Sequence, residues 1–362
     1  MVRIVCYRSM VVIESSRCGI LRGADLVARK PIDDAVRAAL RGDPAKAASA
    51  LDALVELRQD SFGNYFFVRK GAPVDLDEIQ LEDRVDIDEL RDFKRKAKRE
   101  RYLAHKKNTA YPGPFILAEG DSWFEFPLAK DLIECAGGPY AVLSLARAGD
   151  TWANIIDQDS EPEKKYPDET PMGLRHTLAR PDIRPFTHVM LSVGGNDLIG
   201  QLRFCVHTFD PERLENDYIN RRTFDAVLKS VLENYKSVIS DLLSRGPSVI
   251  VHTYDYPNPK SGGQYIGSTL EKYCEFPASS VPLMRHILNQ MIDLFHFRLS
   301  EIVGGFNGKA HLIDLRKTIG TDDTKKGPNA AYWKDEMHAN DRGVELLWGR
   351  MEGELKKIVH QG

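Results

Sequence analysis

Asp335 and His338, three positions apart in Asp335-Glu336-Met337-His338, are spaced for acid–base work. Within a turn that interval lets the carboxylate reach the Nδ1–H of the imidazole, which fixes the tautomer and leaves Nε2 free to accept a proton. A metal-ligand pair or a surface coincidence would use the same letters, although no further His or Cys lies nearby at metal-like spacing. A base needs a nucleophile, and Gly120-Asp121-Ser122-Trp123 offers one: a serine behind a glycine that permits a tight turn. A serine in such a turn also reads as a helix cap. Two further turns carry groups suited to a developing oxyanion. Ala148-Gly149-Asp150-Thr151 presents an unobstructed backbone N–H at Gly149, or is an ordinary turn capped by Asp150 or Thr151. Gly194-Gly195-Asn196-Asp197 supplies the Asn196 amide, a neutral donor worth roughly 3 kcal/mol in such a place, or is a glycine turn closed by an Asx bond.

These turns have to be carried by something rigid. From Tyr111 onward short apolar runs alternate with amphipathic segments, the pattern of an α/β domain built on a parallel sheet. Five strands are expected, at Phe115–Ala118, Ala141–Leu145, His188–Val193, Ser248–Thr253 and Ala310–Leu315, and helices at 223–244, 282–303 and 341–359. Asn340 or Asp341 would cap the last of these. The stretches 155–185, 201–222 and 256–281 are rich in Pro, Gly and charge and read as loops or insertions. In an open parallel sheet catalytic groups gather at the carboxyl edge, and three of the four motifs directly follow an expected strand.

Taken in order, Gly120-Asp121-Ser122, Gly149, Gly195-Asn196-Asp197 and Asp335-x-x-His338 resemble the four sequence blocks of the SGNH hydrolases, the GDSL esterase/lipase family, over roughly residues 112–360. The resemblance implies a flavodoxin-like three-layer α/β fold. It implies Ser122 as nucleophile, His338 as general base and Asp335 as the group that orients it, with an oxyanion hole from the N–H groups of Ser122 and Gly149 and the Asn196 side chain. It implies cleavage of a carboxylic ester or thioester through an acyl-enzyme, on small-molecule acyl substrates, with no cofactor. One departure is the bulky run Trp123-Phe124-Glu125-Phe126 where the family has a small residue or Leu after the serine, which would narrow the acyl pocket or pack under the first helix. The stretches 155–185 and 256–281 are also longer than the family minimum.

Residues 1–108 lie outside the resemblance and read as an accessory region, mainly helical, ahead of a hydrolase domain at 109–362. Ala47, Leu51, Leu54 and Val55 have helical spacing, so a helical hairpin is expected over 31–60, and Asn64–Val68 could be a short strand. An acidic stretch from Asp75 to Asp92 runs into Lys94, Arg95, Lys96, Lys98, Arg99 and Arg101, which suggests a solvated helix or a charged linker ahead of a nucleic-acid contact. A formal net charge of -3 implies neither nucleic acid nor an acidic membrane as partner. No apolar run is long enough to span a bilayer, and no signal peptide or anchor is read. Five scattered cysteines without CxxC spacing fit a reducing compartment, so the cytoplasm is expected. From a different class, a non-catalytic binding protein that keeps the fold and docks a protein partner through residues 1–108 is the competing function. Tyr254, Tyr256 and Tyr265 would be either a stacking platform for a sugar or loop packing, while His188 and His252 read as structural.

Overall fold

The computed structural model describes residues 88–160, 173–179 and 186–359, together with short strands at Cys6–Tyr7, Met10–Val11, Val55–Gln59, Tyr65–Arg69 and Arg84–Val85. Its centre is a five-stranded sheet of β1 (Phe115–Gly120), β2 (Ala141–Ser144), β3 (His188–Ser192), β4 (Ser248–Thr253) and β5 (Ala310–Asp314), in the order β2-β1-β3-β4-β5. Every pairing is parallel: Ile116 is level with Val142 on one side and His188 on the other, Val189 with Val249, and Val249 with Ala310. That order is the flavodoxin-like one, in which the chain changes direction across the sheet between β1 and β3. Strands covered on both faces need apolar residues at every position, which is why Phe-Ile-Leu-Ala, Val-Met-Leu and Val-Ile-Val read as continuous runs.

Alternate side chains feed two cores. Leu117, Val189, Leu191, Val249 and Val251 face α7 (Arg221–Ser244) and α9 (Val281–Gly304), whose stripes Phe224, Leu228, Val231, Tyr235 and Ile287, Met291, Phe295, Leu299 recur every three or four residues. Ile116, Ala118, Met190, Ile250 and Ile313 face α2 (Leu132–Cys135) and α10 (Asp341–Val359), through Leu132, Ile133, Val344, Leu347, Met351 and Leu355. The result is the expected three-layer α/β fold, and all five expected strands are present, Ser248–Thr253 with the expected bounds and the other four with one end shifted by one or two residues. Parts of the segments read as loops are instead helical, in α3 (Trp152–Ser160), α4 (Leu174–Ala179), α6 (Leu202–Cys205) and α8 (Gly267–Cys274), and the glycine turn at 194–197 opens a further short helix, α5 (Gly195–Ile199). Helices this short stand on tertiary packing rather than on their own periodicity, so their sequences carry little signal.

Two expectations for the first hundred residues are corrected. Val55–Gln59 is a strand, not the end of a helical hairpin; it pairs antiparallel with Tyr65–Arg69, and that with Arg84–Val85. Val-Glu-Leu-Arg-Gln alternates apolar and polar, a period of two that suits a half-buried strand better than a helix. The expected strand at Asn64–Val68 is present as Tyr65–Arg69, and the rest of the expected hairpin lies outside the described residues. The basic stretch belongs to α1 (Asp88–Lys107), which lies along edge strand β2, with Tyr102 edge-on to Phe115 and stacked on Phe186. Lys94 and Lys98 are only 5% and 3% exposed while Lys96 and Glu100 are exposed, so the linker reading fails and the helix is solvated on one face only.

Candidate active site

β1 ends at Gly120, and the turn that follows is organised by Asp121. The Asp121 N–H extends the ladder to the Ser192 carbonyl (2.9 Å), while its carboxylate accepts from the Trp123 N–H (3.0 Å), the Ser192 hydroxyl (2.8 Å) and the Tyr254 hydroxyl (2.5 Å). Burial pushes this carboxyl above its ordinary range, and the Tyr254, Trp123 and Ser192 donors only partly oppose that. With the turn fixed in this way, the Ser122 side chain is presented at the carboxyl edge of the sheet, and its Oγ lies 2.9 Å from His338 Nε2.

The imidazole is held from several directions. His338 Nδ1 is 2.7 Å from Asp335 Oδ2, and the other Asp335 oxygen accepts the N–H groups of Met337 (2.8 Å) and His338 (2.7 Å). Burial raises the Asp335 carboxyl, but the adjoining imidazole and these donors outweigh it and hold the group below its ordinary value. An ionised Asp335 accepts from Nδ1–H, which leaves the Nε2 lone pair for the serine proton. Phe126 stacks on the ring at 4.2 Å between centroids and 16° between planes, and Tyr265 meets it edge-on at 5.7 Å. Asn340, not Asp341, caps α10: its side-chain oxygen accepts the N–H groups of Arg342 and Gly343 (both 3.1 Å).

The remaining motifs meet across the β1–β3 switch point. Gly149 has φ +88°, a left-handed conformation that glycine adopts without strain. Asn196, on the first turn of α5, donates its amide to the Asp150 carbonyl (2.9 Å), so the Gly149 turn and the asparagine are joined directly. Asp197 accepts the Trp152 N–H at the start of α3 (3.2 Å), beside Thr151, whose hydroxyl donates to the Asn154 side chain (2.6 Å). Burial drives the Asp197 carboxyl up to about 6, against the Trp152 N–H, with Asp121 adding to the rise. Gly195 admits Tyr254: a Cβ at Gly195 would stand 2.8 Å from the tyrosine ring. Among the described residues none accepts a hydrogen bond from the N–H of Ser122 or of Gly149.

Ser122, Asn196 and His338 open onto one cleft, walled by Trp123, Leu198 and Ile199 of α5, Leu288, Met291 and Ile292 of α9, and Tyr254, Pro257 and Met337. Gly149 does not line this space and is tied to it only through Asp150 and Asn196. Trp123 both borders the cleft and packs, stacking on His252 at 5.8 Å with Tyr254 edge-on at 5.2 Å. Tyr254, Tyr256 and Tyr265 are 6%, 2% and 1% exposed, which corrects the sugar-platform reading in favour of packing. His188 and His252 are structural as expected; burial lowers each to about 4, His188 with help from His311 and His252 against the Thr253 carbonyl.

Sequence reasoning missed the supports of this site. The Glu336 carboxylate accepts four backbone N–H groups, from Lys260 (2.9 Å), Tyr265 (2.7 Å), Ile266 (2.9 Å) and Gly267 (2.8 Å), and so pins the 256–267 segment beside His338. From the other side, Lys98 Nζ donates to Asp131 (2.6 Å) and the Phe124 carbonyl (3.0 Å), and Lys94 Nζ to the carbonyls of Phe126 (2.5 Å) and Ala129 (2.7 Å), with Glu134 2.7 Å away. Burial alone would lower the Lys94 ammonium, but Asp131 and Glu134 outweigh it and hold it above its usual value. Arg95 reaches Glu125, whose carboxylate also accepts the Ala148 N–H (2.9 Å) next to Gly149. Among the described residues no group of three His, Cys, Asp or Glu is placed to hold a metal ion, and no helix is long and apolar enough to cross a membrane.

No family model matches the chain, and no curated protein matches it. Among solved structures it is similar to an acetylxylan esterase from Geobacillus stearothermophilus, at 15% identity over 67% of this chain and 94% of that one, with a TM-score of 0.40. It is also similar to a GDSL-like lipase from Bacteroides thetaiotaomicron, at 13% identity over 71% of this chain and 97% of that one, with a TM-score of 0.38.

Proposed function

We propose that the chain is a serine hydrolase that cleaves a carboxylic ester or thioester through an acyl-enzyme, as the SGNH resemblance implies. The observation that carries the reading is the continuous relay from Ser122 Oγ to His338 Nε2 at 2.9 Å and from His338 Nδ1 to Asp335 Oδ2 at 2.7 Å. Ser122 Oγ bonds to the acyl carbon as its proton passes to Nε2. Nε2–H then protonates the departing alkoxide or thiolate, and the bond to the leaving group breaks. Water enters, gives a proton to Nε2 and its oxygen to the acyl carbon; the Ser122–acyl bond breaks and the proton returns to Oγ. Asp335 stays ionised throughout and balances the imidazolium. The Ser122 N–H and the Asn196 amide, which border the cleft, take the oxyanion; the resemblance adds the Gly149 N–H, although Gly149 does not line the cleft.

Residues 109–362 form the hydrolase domain in this proposal and residues 1–108 an accessory region suited to a protein partner, although α1 belongs by its contacts to the domain that follows it. Cytoplasmic residence is part of the same reading and rests on the scattered cysteines.

The test is turnover of a panel of p-nitrophenyl esters together with labelling by a fluorophosphonate. The wild-type protein is expected to hydrolyse one or more of the esters and to be labelled, and Ser122→Ala to drop to background in both assays. Turnover that survives in Ser122→Ala refutes Ser122 as the nucleophile, and a Ser122 that resists the probe favours the non-catalytic binding protein instead.

A further inference from the structure

We infer that the ester cleaved at Ser122 carries an aliphatic chain several carbons long next to the scissile bond, seated against Leu198, Ile199, Leu288, Met291, Ile292 and Met337, and that acetyl esters of sugars are poor substrates. The inference rests on the hydrolase reading of Ser122 and names the class of substrate that site takes.

The cleft is chemically one-sided: its polar groups cluster around Ser122 and the strand ends, while α5 and α9 contribute hydrocarbon and thioether surface that an acetyl group alone would leave uncovered. More telling is the state of the polar side chains on its rim. Both Asp121 oxygens are taken, by Trp123 and Ser192 on one and by Tyr254 on the other. The Tyr254 hydroxyl is spent on Asp121, and it also accepts the Gly195 N–H (3.2 Å). Asp255 uses its carboxylate on the N–H groups of Tyr256 (2.7 Å), Ile319 (2.6 Å) and Gly320 (2.9 Å). A sugar entering here would lose its hydrogen bonds to water and find these carboxylates and this hydroxyl already occupied. A hydrocarbon chain loses nothing of that kind.

An alkyl chain gains instead. Each methylene transferred from water contributes about 0.8 kcal/mol, a factor of about four in kcat/KM, until the cleft is filled. Met291 and Met337 suit this role because an unbranched thioether adjusts to chains of different length. The same alkyl chemistry can enter as the acyl group or as the alcohol, and both place a chain beside the scissile bond.

The experiment measures kcat/KM of the full-length protein on two series: p-nitrophenyl acetate through octanoate, which lengthens the acyl side, and methyl through octyl acetate, which lengthens the alcohol side. A rise of about fourfold per methylene over the first steps in either series is the expected result, and the series in which it occurs tells which limb occupies the cleft. Ile199→Asn, or Met291→Asn should the first not fold, is expected to lower the octyl-to-methyl or octanoate-to-acetate ratio by tenfold or more. Flat or falling profiles in both series, or faster turnover of acetylated xylose than of any alkyl ester, overturn the inference while leaving the serine hydrolase intact. Absence of turnover on every ester, with no fluorophosphonate labelling, removes both.

Discussion

The two sides of Ser122 are built on opposite principles. Behind it, α1 drives Lys94 and Lys98 into the 124–134 segment, where they meet Asp131, Glu134 and three backbone carbonyls at 2.5–3.0 Å. In front, α5 and α9 line the cleft largely with apolar side chains, Leu198, Ile199, Leu288, Met291 and Ile292. Ion pairs out of water cost several kcal/mol to desolvate and repay it only in one geometry, so they specify position more than they add stability. Apolar walls tolerate many geometries. The serine, with Phe126 stacked on its histidine, sits against the side that admits one arrangement and opens to the side that admits several.

Removing one charge behind the serine should have the largest effect. Lys98→Met leaves the Asp131 carboxylate buried against Lys94 alone, and a loss of about 3–5 kcal/mol in urea unfolding is expected. Lys98→Met combined with Asp131→Asn, which keeps the cap on the Glu134 N–H, should recover more than half of it. If the single and double variants prove equally unstable, the pair does not hold this side together.

A smaller effect is expected at Glu336, which fixes the front of the cleft. Glu336→Gln replaces one acceptor oxygen by a donor facing two N–H groups, for a loss of about 2–3 kcal/mol. Because the 256–267 segment it holds includes Pro257 of the cleft, KM for long-chain esters should rise more than kcat falls. A change confined to kcat would mean that Glu336 serves His338 rather than the cleft.

The smallest effect lies at Asp197, on the helix that carries Leu198 and Ile199. Its folded pKa of about 6 exceeds the ordinary 3.8, so folding favours the protonated form. The destabilisation is absent below about pH 4, grows as pH rises to 6 and is complete above that. Asp197→Asn should therefore raise Tm by about 2–4 °C at pH 8, on the order of 1 kcal/mol after screening by water, and by nothing at pH 4. A pH-independent gap between the two proteins would remove the carboxyl as its cause.

What could be read from the sequence divides along the same line. The five strands were legible because a strand covered on both faces must be apolar throughout, and α7, α9 and α10 because one face recurs every three or four residues. The juxtaposition of Ser122, His338 and Asp335 and the place of Asn196 at the cleft were legible because short turns concentrate chemistry into a few letters, whereas Gly149, read beside them, does not line the cleft. Lys94 and Lys98 were not: a charge run reads as solvated until its counter-ions are known, and Asp131 lies 33 positions from Lys98. Glu336 was opaque for the same reason, since its partners are backbone N–H groups some 70 positions away. Val55 was misread because a helical spacing of small residues upstream ran into a segment that alternates.

The burial of the α1 cations also bears on where the protein can be cut. Starting it at residue 109, the expected start of the hydrolase domain, would leave Asp131 without a counter-ion and uncover the edge of β2 along with the faces of Phe115 and Phe186 that Tyr102 covers. The smallest piece that keeps its charges balanced begins before Asp88, so the folding unit extends some twenty residues upstream of the part that resembles the SGNH hydrolases.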